Sequence, residues 1–384
     1  MIKPQHISNL NLKIGITHGD FNGIGYEIII KTFLDNRILE MFTPVIYGSS
    51  KIASYYRKTF NYTDVNFNLV KKAEYANPKR VNIVNCTSDE VKIEIGKLTD
   101  VAGEMAVLAL EKAVEDLKNG TIDALVTAPI NKKNTHSERF NFAGHTDYFA
   151  NAFNTDDHLM VMVNDDLRIG ILTGHIPLKE VPGKITKELL IKKINVMNNS
   201  LKADFGIQKP KIAVLGLNPH ASDEALIGTE ESEIIIPAIE EANKNDILTF
   251  GPFPADGFFG SNNYKNFDGI LAMYHDQGML PFKSFAFGEG INFTAGLPII
   301  RTSPAHGTAF DIAGKNIASP NSLRQAIYMA IDLHNNRNLL EEMSANPLPL
   351  KNKDGAKGQR SNNHAPPRSQ QTNTQDNSSQ EGIN

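Results

Sequence analysis

Short apolar runs that end in polar loops alternate with segments of helical period along most of this chain, and that alternation restricts it to a sheet covered by helices. Leu12 to Thr17 reads as a strand, Tyr26 to Met41 as a helix, Pro44 to Gly48 as a strand and Lys51 to Phe60 as a helix. Between Gly103 and Gly120, Val107, Leu110, Val114 and Leu117 recur at helical spacing; Lys118 sits in the last turn and Gly120 supplies a stop. Thr121 to Thr127 follows as a strand. Leu159 to Val163 and Arg168 to Leu172 flank Asn164-Asp165-Asp166, a hairpin signal that makes the sheet mixed. A helix over Thr186 to Leu201, a strand over Lys211 to Leu217, a helix over Glu230 to Lys244, a strand over Gly269 to Met273 and a helix over Ser322 to Leu333 complete the pattern. The predicted class is α/β.

Three histidines, His175, His220 and His275, stand just beyond strand-like runs. In open α/β sheets, ligands bind outside the carboxyl ends of strands, so three imidazoles delivered there either gather round one ion or are satisfied separately. Neutral imidazoles suit zinc or another transition ion, and Asp276 beside His275 can orient a ring or accept a proton. Gly144-His145-Thr146-Asp147 reads as a helix start, with Thr146 or Asp147 as cap or His145 and Thr146 as ligand contacts. Lys283, Asn292 and Arg301 surround apolar runs; Lys as a point charge and Arg as a fork suit a phosphate, though they also suit a strand's solvated flank. The glycines after Thr17 lack the dinucleotide spacing and favour a tight strand-to-helix turn. His306-Gly307-Thr308-Ala309-Phe310-Asp311 offers a carboxylate for ribose hydroxyls or is a plain loop.

Composition narrows the function classes. The 384 residues are 41% hydrophobic and 21% charged with a net charge of −4, enough apolar chain for two domains and no basic surface for nucleic acid. No run approaches the ~20 apolar residues that span a bilayer, and the N-terminus lacks the plan of a signal peptide, so the expected address is the cytoplasm, away from membranes. The single cysteine, Cys86, closes a strand-like run and reads as structural. From Lys351 the chain is rich in Asn, Gln, Ser and Pro, and a disordered tail over 351–384 is expected.

Taken together, Gly19-Asp20 with Gly23-Ile24-Gly25, Thr127-Ala-Pro-Ile-Asn-Lys132, Gly144-His-Thr-Asp147, His175-Ile-Pro-Leu178, Gly216-Leu-Asn-Pro-His220, Pro254-Ala-Asp256, Tyr274-His-Asp-Gln-Gly278 and Gly296-Leu-Pro-Ile-Ile-Arg-Thr-Ser303 resemble the 4-hydroxythreonine-4-phosphate dehydrogenases of pyridoxal phosphate biosynthesis. The match runs from about Ile14 to Asp332. It implies two α/β/α domains flanking a cleft, as in isocitrate and isopropylmalate dehydrogenases. Residues 1–135 plus 290–350 would form the NAD-binding domain, and 136–289 the metal, substrate and dimerisation domain. By this resemblance His175, His220 and His275 bind a divalent metal ion (Zn, Mg or Co), one of them reaching in from the partner subunit of a homodimer with a shared active site. His145, Thr146, Lys283, Asn292 and Arg301 resemble the substrate-binding set; His306, Gly307 and Asp311 lie in a segment similar to the adenosine-binding loop of isopropylmalate dehydrogenases. Asp276 and Lys283 are the candidates for proton handling.

The implied reaction oxidises 4-phosphooxy-L-threonine, a small phosphorylated hydroxy-amino acid, with NAD; the resulting 2-amino-3-oxo-4-phosphooxybutanoate loses carbon dioxide to give 3-amino-2-oxopropyl phosphate. D-Erythronate or D-threonate 4-phosphate is the nearest alternative substrate. A three-histidine metallohydrolase or a silent metal- or phosphate-binding protein are more distant readings. The chain also departs from the family pattern: His18, Phe21-Asn22 and Tyr26 replace residues near the first glycines, Gly174 replaces a threonine, and Ala221 to Ala225 replaces a glycine-rich run.

Overall fold

The computed structural model describes residues 12–345 apart from 88, 89, 143 and 287, so the expected tail lies outside the described residues. Twelve strands form one sheet: β1 Lys13–Thr17, β2 Thr43–Gly48, β3 Phe67–Val70, β4 Val81–Asn85, β5 Ala124–Thr127, β6 Leu159–Val163, β7 Arg168–Ile171, β8 Lys211–Leu215, β9 Leu248–Phe253, β10 Gly269–Ala272, β11 Ile291–Ala295 and β12 Ile300–Pro304. Their order is β3-β4-β2-β1-β5-β12-β11-β6-β7-β10-β8-β9. The six from β3 to β12 run parallel. Antiparallel pairings of β12 with β11, β11 with β6, and β6 with β7 then reverse the direction. The last four strands are again mutually parallel. Consequently the carboxyl ends of the first six strands and of the last four lie on opposite edges of one sheet.

The side-chain alternation of the strands sorts the interior into one continuous core and two separate ones. On one face a single apolar cluster crosses the whole sheet, from Ile14, Ile46 and Val126 through Ile300, Phe293 and Val161 to Leu271 and Val214. The helices Gly25–Thr32, Lys187–Ala203 and Asn321–Ala345 contribute to it. On the opposite face Val45, Tyr47 and Leu125 pack with the helix Asp100–Lys118. Ile169, Ile171, Ala213 and Ala272 pack separately with Met279 and Phe282 of the helix His275–Phe285. Between those two cores, the middle strands turn Arg301, Ser303, Asn292, Met160 and Met162 into an open cleft.

Local chemistry explains most element boundaries. Thr99 caps the helix Asp100–Lys118, its hydroxyl accepting the Ala102 N–H at 3.4 Å, and Gly120 beyond its end has φ +67°. The helix expected from Tyr26 to Met41 is two elements: it ends at Thr32, and Asp35 starts a 3-10 turn over Asn36–Glu40 by accepting the Arg37 N–H. The sequence patterns do not announce β3 or β9. Both are edge strands, and Pro252 in β9 is tolerated only at such an edge.

The glycine-rich turn after β1 proves to be an internal brace. Asp20 is buried, donates its N–H to the Pro129 carbonyl at 2.9 Å and accepts from Asn134 Nδ2 at 2.8 Å, which holds the loop leaving β5. His18 is fully buried and stacks on Tyr26 at 5.3 Å, and burial pushes its pKa down to about 4. In an unfolded chain a histidine titrates near 6.5, so between these values the unfolded state binds more protons and stability falls as pH falls. The loss is about 3 kcal/mol from pH 7 to pH 4, present in full above the unfolded pKa. Urea unfolding of the wild type and of His18→Phe at pH 7.5, 6 and 5 is expected to show a shallower pH slope in the variant; an identical slope would refute this assignment.

Candidate active site

A cleft of about 740 Å³ lies over β5, β12, β11, β6 and β7, walled by loops from both sheet edges. From the first edge come Thr127 at the end of β5, Lys132 just past it, the helix His145–Ala152, and the residues from Ser303 to Gly307. From the other come Thr173 to Ile176 after β7 and His275 after β10, with Lys283 reaching in from the helix His275–Phe285. This convergence depends on the reversal of strand direction.

Arg301 forms the floor of the first wall. It is 2% exposed, yet among the described residues no carboxylate pairs with it: Nη2 donates to Thr127 Oγ1 at 2.7 Å and to His145 Nδ1 at 2.9 Å, and Nε donates to Thr127 Oγ1 at 3.2 Å. Burial without a counter-charge pushes its pKa down to about 9. An arginine only donates, so His145 Nδ1 accepts and the imidazole carries its proton on Nε2. That Nε2 is buried with no partner among the described residues. Burial first, and then the charges of Arg301 and Lys132, hold His145 well below the usual histidine range, so it stays neutral. The corner is an uncompensated guanidinium beside an unused N–H donor, a pair of features that calls for an anion.

The cleft's other cations share this lack of acidic partners. Lys132, Lys184, Lys193 and Lys283 line it, and among the described residues none forms an ion pair with a carboxylate; Asp147 is the lone acidic lining residue. Lys193, half-buried, donates to the His158 carbonyl, and its pKa is lowered chiefly by that burial. Thr146 and Asn292 also line the space, and Asn292 Oδ1 is buried without a partner.

The opposite wall carries two of the three histidines. The rings of His175 and His275 lie 5.1 Å apart. Burial, then Lys132 and His275, lower the pKa of His175, which favours the neutral form that ligates metals. His275 Nδ1 donates to Asp276 Oδ1 at 2.7 Å, leaving Nε2 free to ligate, the usual arrangement of an oriented metal-binding imidazole. Gly174 holds φ +61° ahead of His175, a left-handed turn that glycine adopts without strain.

His220 is not brought to this pair. It is exposed and outside the cleft lining, and among the described residues no cluster of three His, Cys, Asp or Glu side chains is preorganised for a metal. It begins a run from His220 to Ala225 in which six consecutive residues, none of them glycine, have φ between 48° and 72°. Left-handed backbone costs roughly 1–2 kcal/mol per such residue, so the turn is strained where it presents the ring outward. Buried Glu231 holds its base, Oε1 accepting the N–H groups of Leu217 and Asn218 at 2.7 Å. Gln277 ties the loop after β10 to that after β8 by donating to the Gly216 carbonyl at 2.6 Å.

His306 and Gly307 border the cleft, whereas Asp311 is exposed on the same loop outside the lining. His306 Nδ1 donates to the Gly307 carbonyl at 3.0 Å, and Nε2 is buried as an unused acceptor. Ile24 N–H bonds the Thr308 carbonyl at 3.1 Å, fastening this loop to the glycine-rich turn. Cys86 is outside the cleft lining; burial pushes its thiol up to about 12, which suits an inert structural residue.

Sequence reasoning missed Thr127, Lys132, Lys184 and Lys193 as cleft residues, and Glu231 and Gln277 as braces. Thr127 and Lys132 bound one of the family-like motifs and Gln277 lies within another, and that was the available signal; nothing local marks Lys184, Lys193 or Glu231.

The sequence model described as pyridoxal phosphate biosynthetic protein PdxA matches residues 40–330. A 4-hydroxythreonine-4-phosphate dehydrogenase of Bacteroides thetaiotaomicron is 53% identical over 338 residues, covering 88% of this chain and 93% of its own. A relative from Oceanobacillus iheyensis, provisionally named a D-threonate 4-phosphate dehydrogenase, is 38% identical and covers 83% and 97%. The crystal structure of 4-hydroxythreonine-4-phosphate dehydrogenase from Klebsiella pneumoniae superposes with a TM-score of 0.75 at 32% identity, covering 84% of this chain and 98% of that one.

Proposed function

The chain belongs to the pyridoxal phosphate biosynthetic protein PdxA family, and from that premise we propose that it oxidises the secondary alcohol of 4-phosphooxy-L-threonine with NAD. The observation that carries this reading is Arg301, a buried guanidinium with no carboxylate partner among the described residues, at the floor of a lysine-lined cleft that also holds a pair of adjacent imidazoles. Such a cleft suits a substrate with two anionic ends and an oxygen to be activated between them.

In this reading Arg301 and His145 Nε2–H bind one anionic end, and Thr146 and Asn292 fix the rest of the chain in place. His175 and His275 would hold two positions of a divalent ion's coordination sphere, and His306 and Gly307 at the cleft, with Asp311 on the same loop outside it, would contact a dinucleotide. When bound, the ion would supply Lewis acidity at the alcohol oxygen and NAD would accept the hydride. Lys283, once its ammonium has shed a proton to solvent, takes the hydroxyl proton as the free amine while the C–H hydride departs, leaving a ketone. Asp276, engaged with His275 Nδ1, serves by orienting that ring. The product is a β-keto acid; its C–C bond to the carboxylate breaks with the electron pair moving into the ketone, and protonation of the resulting enolate gives 3-amino-2-oxopropyl phosphate and carbon dioxide.

The third imidazole would be His220 of the partner subunit in a homodimer. Its outward, strained turn supports this, as do the apolar side chains left on the same edge, Leu178, Leu226 and Leu280, which are 70%, 81% and 69% exposed. Among the described residues no helix is long and apolar enough to cross a membrane.

The test is direct. Purified protein receives NAD with 4-phosphooxy-L-threonine, D-threonate 4-phosphate or D-erythronate 4-phosphate, with and without a chelator, while NADH and carbon dioxide are followed. NADH and carbon dioxide from the first, abolished by chelation, are expected. Absence of NADH with every substrate would overturn the dehydrogenase reading; preference for D-threonate 4-phosphate, the substrate in the name of the Oceanobacillus relative, would move it to sugar-acid phosphates.

A further inference from the structure

The loop leaving β5 ends in Lys132, and the chemistry above gives it no task. Its stem lies across Gly144: a Cβ built on that glycine would stand 3.5 Å from Lys132 Cε and 4.0 Å from Nζ. Gly144 is the residue ahead of the helix His145–Ala152, and no side chain caps that terminus. The ammonium therefore sits at the positive end of a helix, where the free N–H groups and the macrodipole oppose a cation. Its charge also reaches both walls of the cleft, since it helps depress His145 on one side and His175 on the other. Arg301 lies behind His145 without a carboxylate, and Lys132 itself forms no hydrogen bond or ion pair with a described residue.

A lysine held beside a helix N-terminus and a buried guanidinium is a repulsive arrangement when the cleft is empty. It becomes favourable when an anionic oxygen occupies the space they enclose. His145 Nε2–H, buried and unpartnered, independently supplies a donor to the same space.

We propose that Lys132 is a substrate-binding residue, its ammonium contacting the phosphate or carboxylate oxygen that lies between the Arg301–His145 corner and the His175–His275 pair. This rests on the reading that a phosphorylated acid occupies the cleft. Lysine is suited to the bridging position because a point charge on a flexible stem can follow an oxygen that shifts as the substrate changes geometry, while the Arg301 fork stays fixed.

Calorimetry with inorganic phosphate, with 4-phosphooxy-L-threonine and with NAD, on wild type, Lys132→Met and Lys132→Arg, tests the assignment. Removing one charge-assisted hydrogen bond is expected to weaken phosphate and substrate binding about 10- to 100-fold. NAD affinity should be unchanged and the melting temperature no lower than wild type, because the side chain is exposed and unbonded and its charge is opposed in the empty cleft. Lys132→Arg should recover most of the affinity. In turnover, KM for the substrate should rise more than kcat falls. Binding of substrate and phosphate by Lys132→Met within threefold of wild type overturns the role of Lys132 alone. An equal loss of NAD affinity reassigns the cation to the cofactor and also overturns it. Failure of the wild type to bind either phosphate or substrate overturns the cleft reading as well.

Discussion

Replacing Arg301 with methionine is expected to lower kcat/KM for the phosphorylated substrate by about a thousandfold while leaving the free protein at least as stable as wild type. The two effects have one cause. Arg301 is 2% exposed, and its hydrogen-bond partners among the described residues are the Thr127 hydroxyl and a neutral imidazole, so in the empty protein its charge is desolvated and uncompensated. An apolar side chain of similar length removes that cost, partly offset by the bonds that Thr127 and His145 lose. An anionic substrate supplies the missing counter-charge, and the variant cannot receive it. Arg301→Lys should rescue little, because a single ammonium cannot reproduce the fork that reaches Thr127 and His145 together. Steady-state kinetics and thermal melts of the free protein are the measurements. A variant that is active would remove Arg301 from the binding site; one that is several degrees less stable would make the guanidinium structural.

Mixing two inactive variants is expected to restore activity. If the metal site takes His175 and His275 from one chain and His220 from the other, His220→Ala and His175→Ala should each lose essentially all turnover. Co-refolded or co-expressed in equal amounts, half of the dimers pair unlike chains, and each such dimer contains one intact site, so about a quarter of wild-type specific activity should return. A mixture of His175→Ala with His275→Ala should restore nothing, because those rings lie 5.1 Å apart on one chain and every site in the mixed dimer has lost a ligand. Recovery in the second mixture, or none in the first, would refute the division of the three histidines between chains.

Local features of the fold were legible because local chemistry made them. The helix over Asp100–Lys118 announces itself by spacing and by Gly120, and the β6–β7 hairpin by Asn164-Asp165-Asp166. The expected α/β class with a mixed sheet is what the chain adopts. Long-range pairing was the obscure part. Arg301 meets Thr127 only because β12 inserts beside β5, Thr302 opposite Val126, and no pattern within either segment encodes that neighbour. The lysines of the cleft were equally hidden, since Lys184 and Lys193 sit in ordinary helical contexts and acquire meaning only from the space they face. His175, His220 and His275 are at the ends of adjacent strands, as the sequence suggested, yet strand-end position did not decide which rings meet within one chain.

The reversal of strand direction at β11 and β6 separates inheritance of the two halves of the cleft. The rim after β5 and β12 carries Lys132, His145 and His306, and the loops after β7, β10 and β8 carry His175, His275 and His220, with the middle strands between them. Insertions or substitutions on one rim leave the other rim's anchorage untouched. On the reading proposed above, a scaffold divided this way could trade one small phosphorylated acid for another through drift on a single border, with the His175–His275 pair on the other left unaltered.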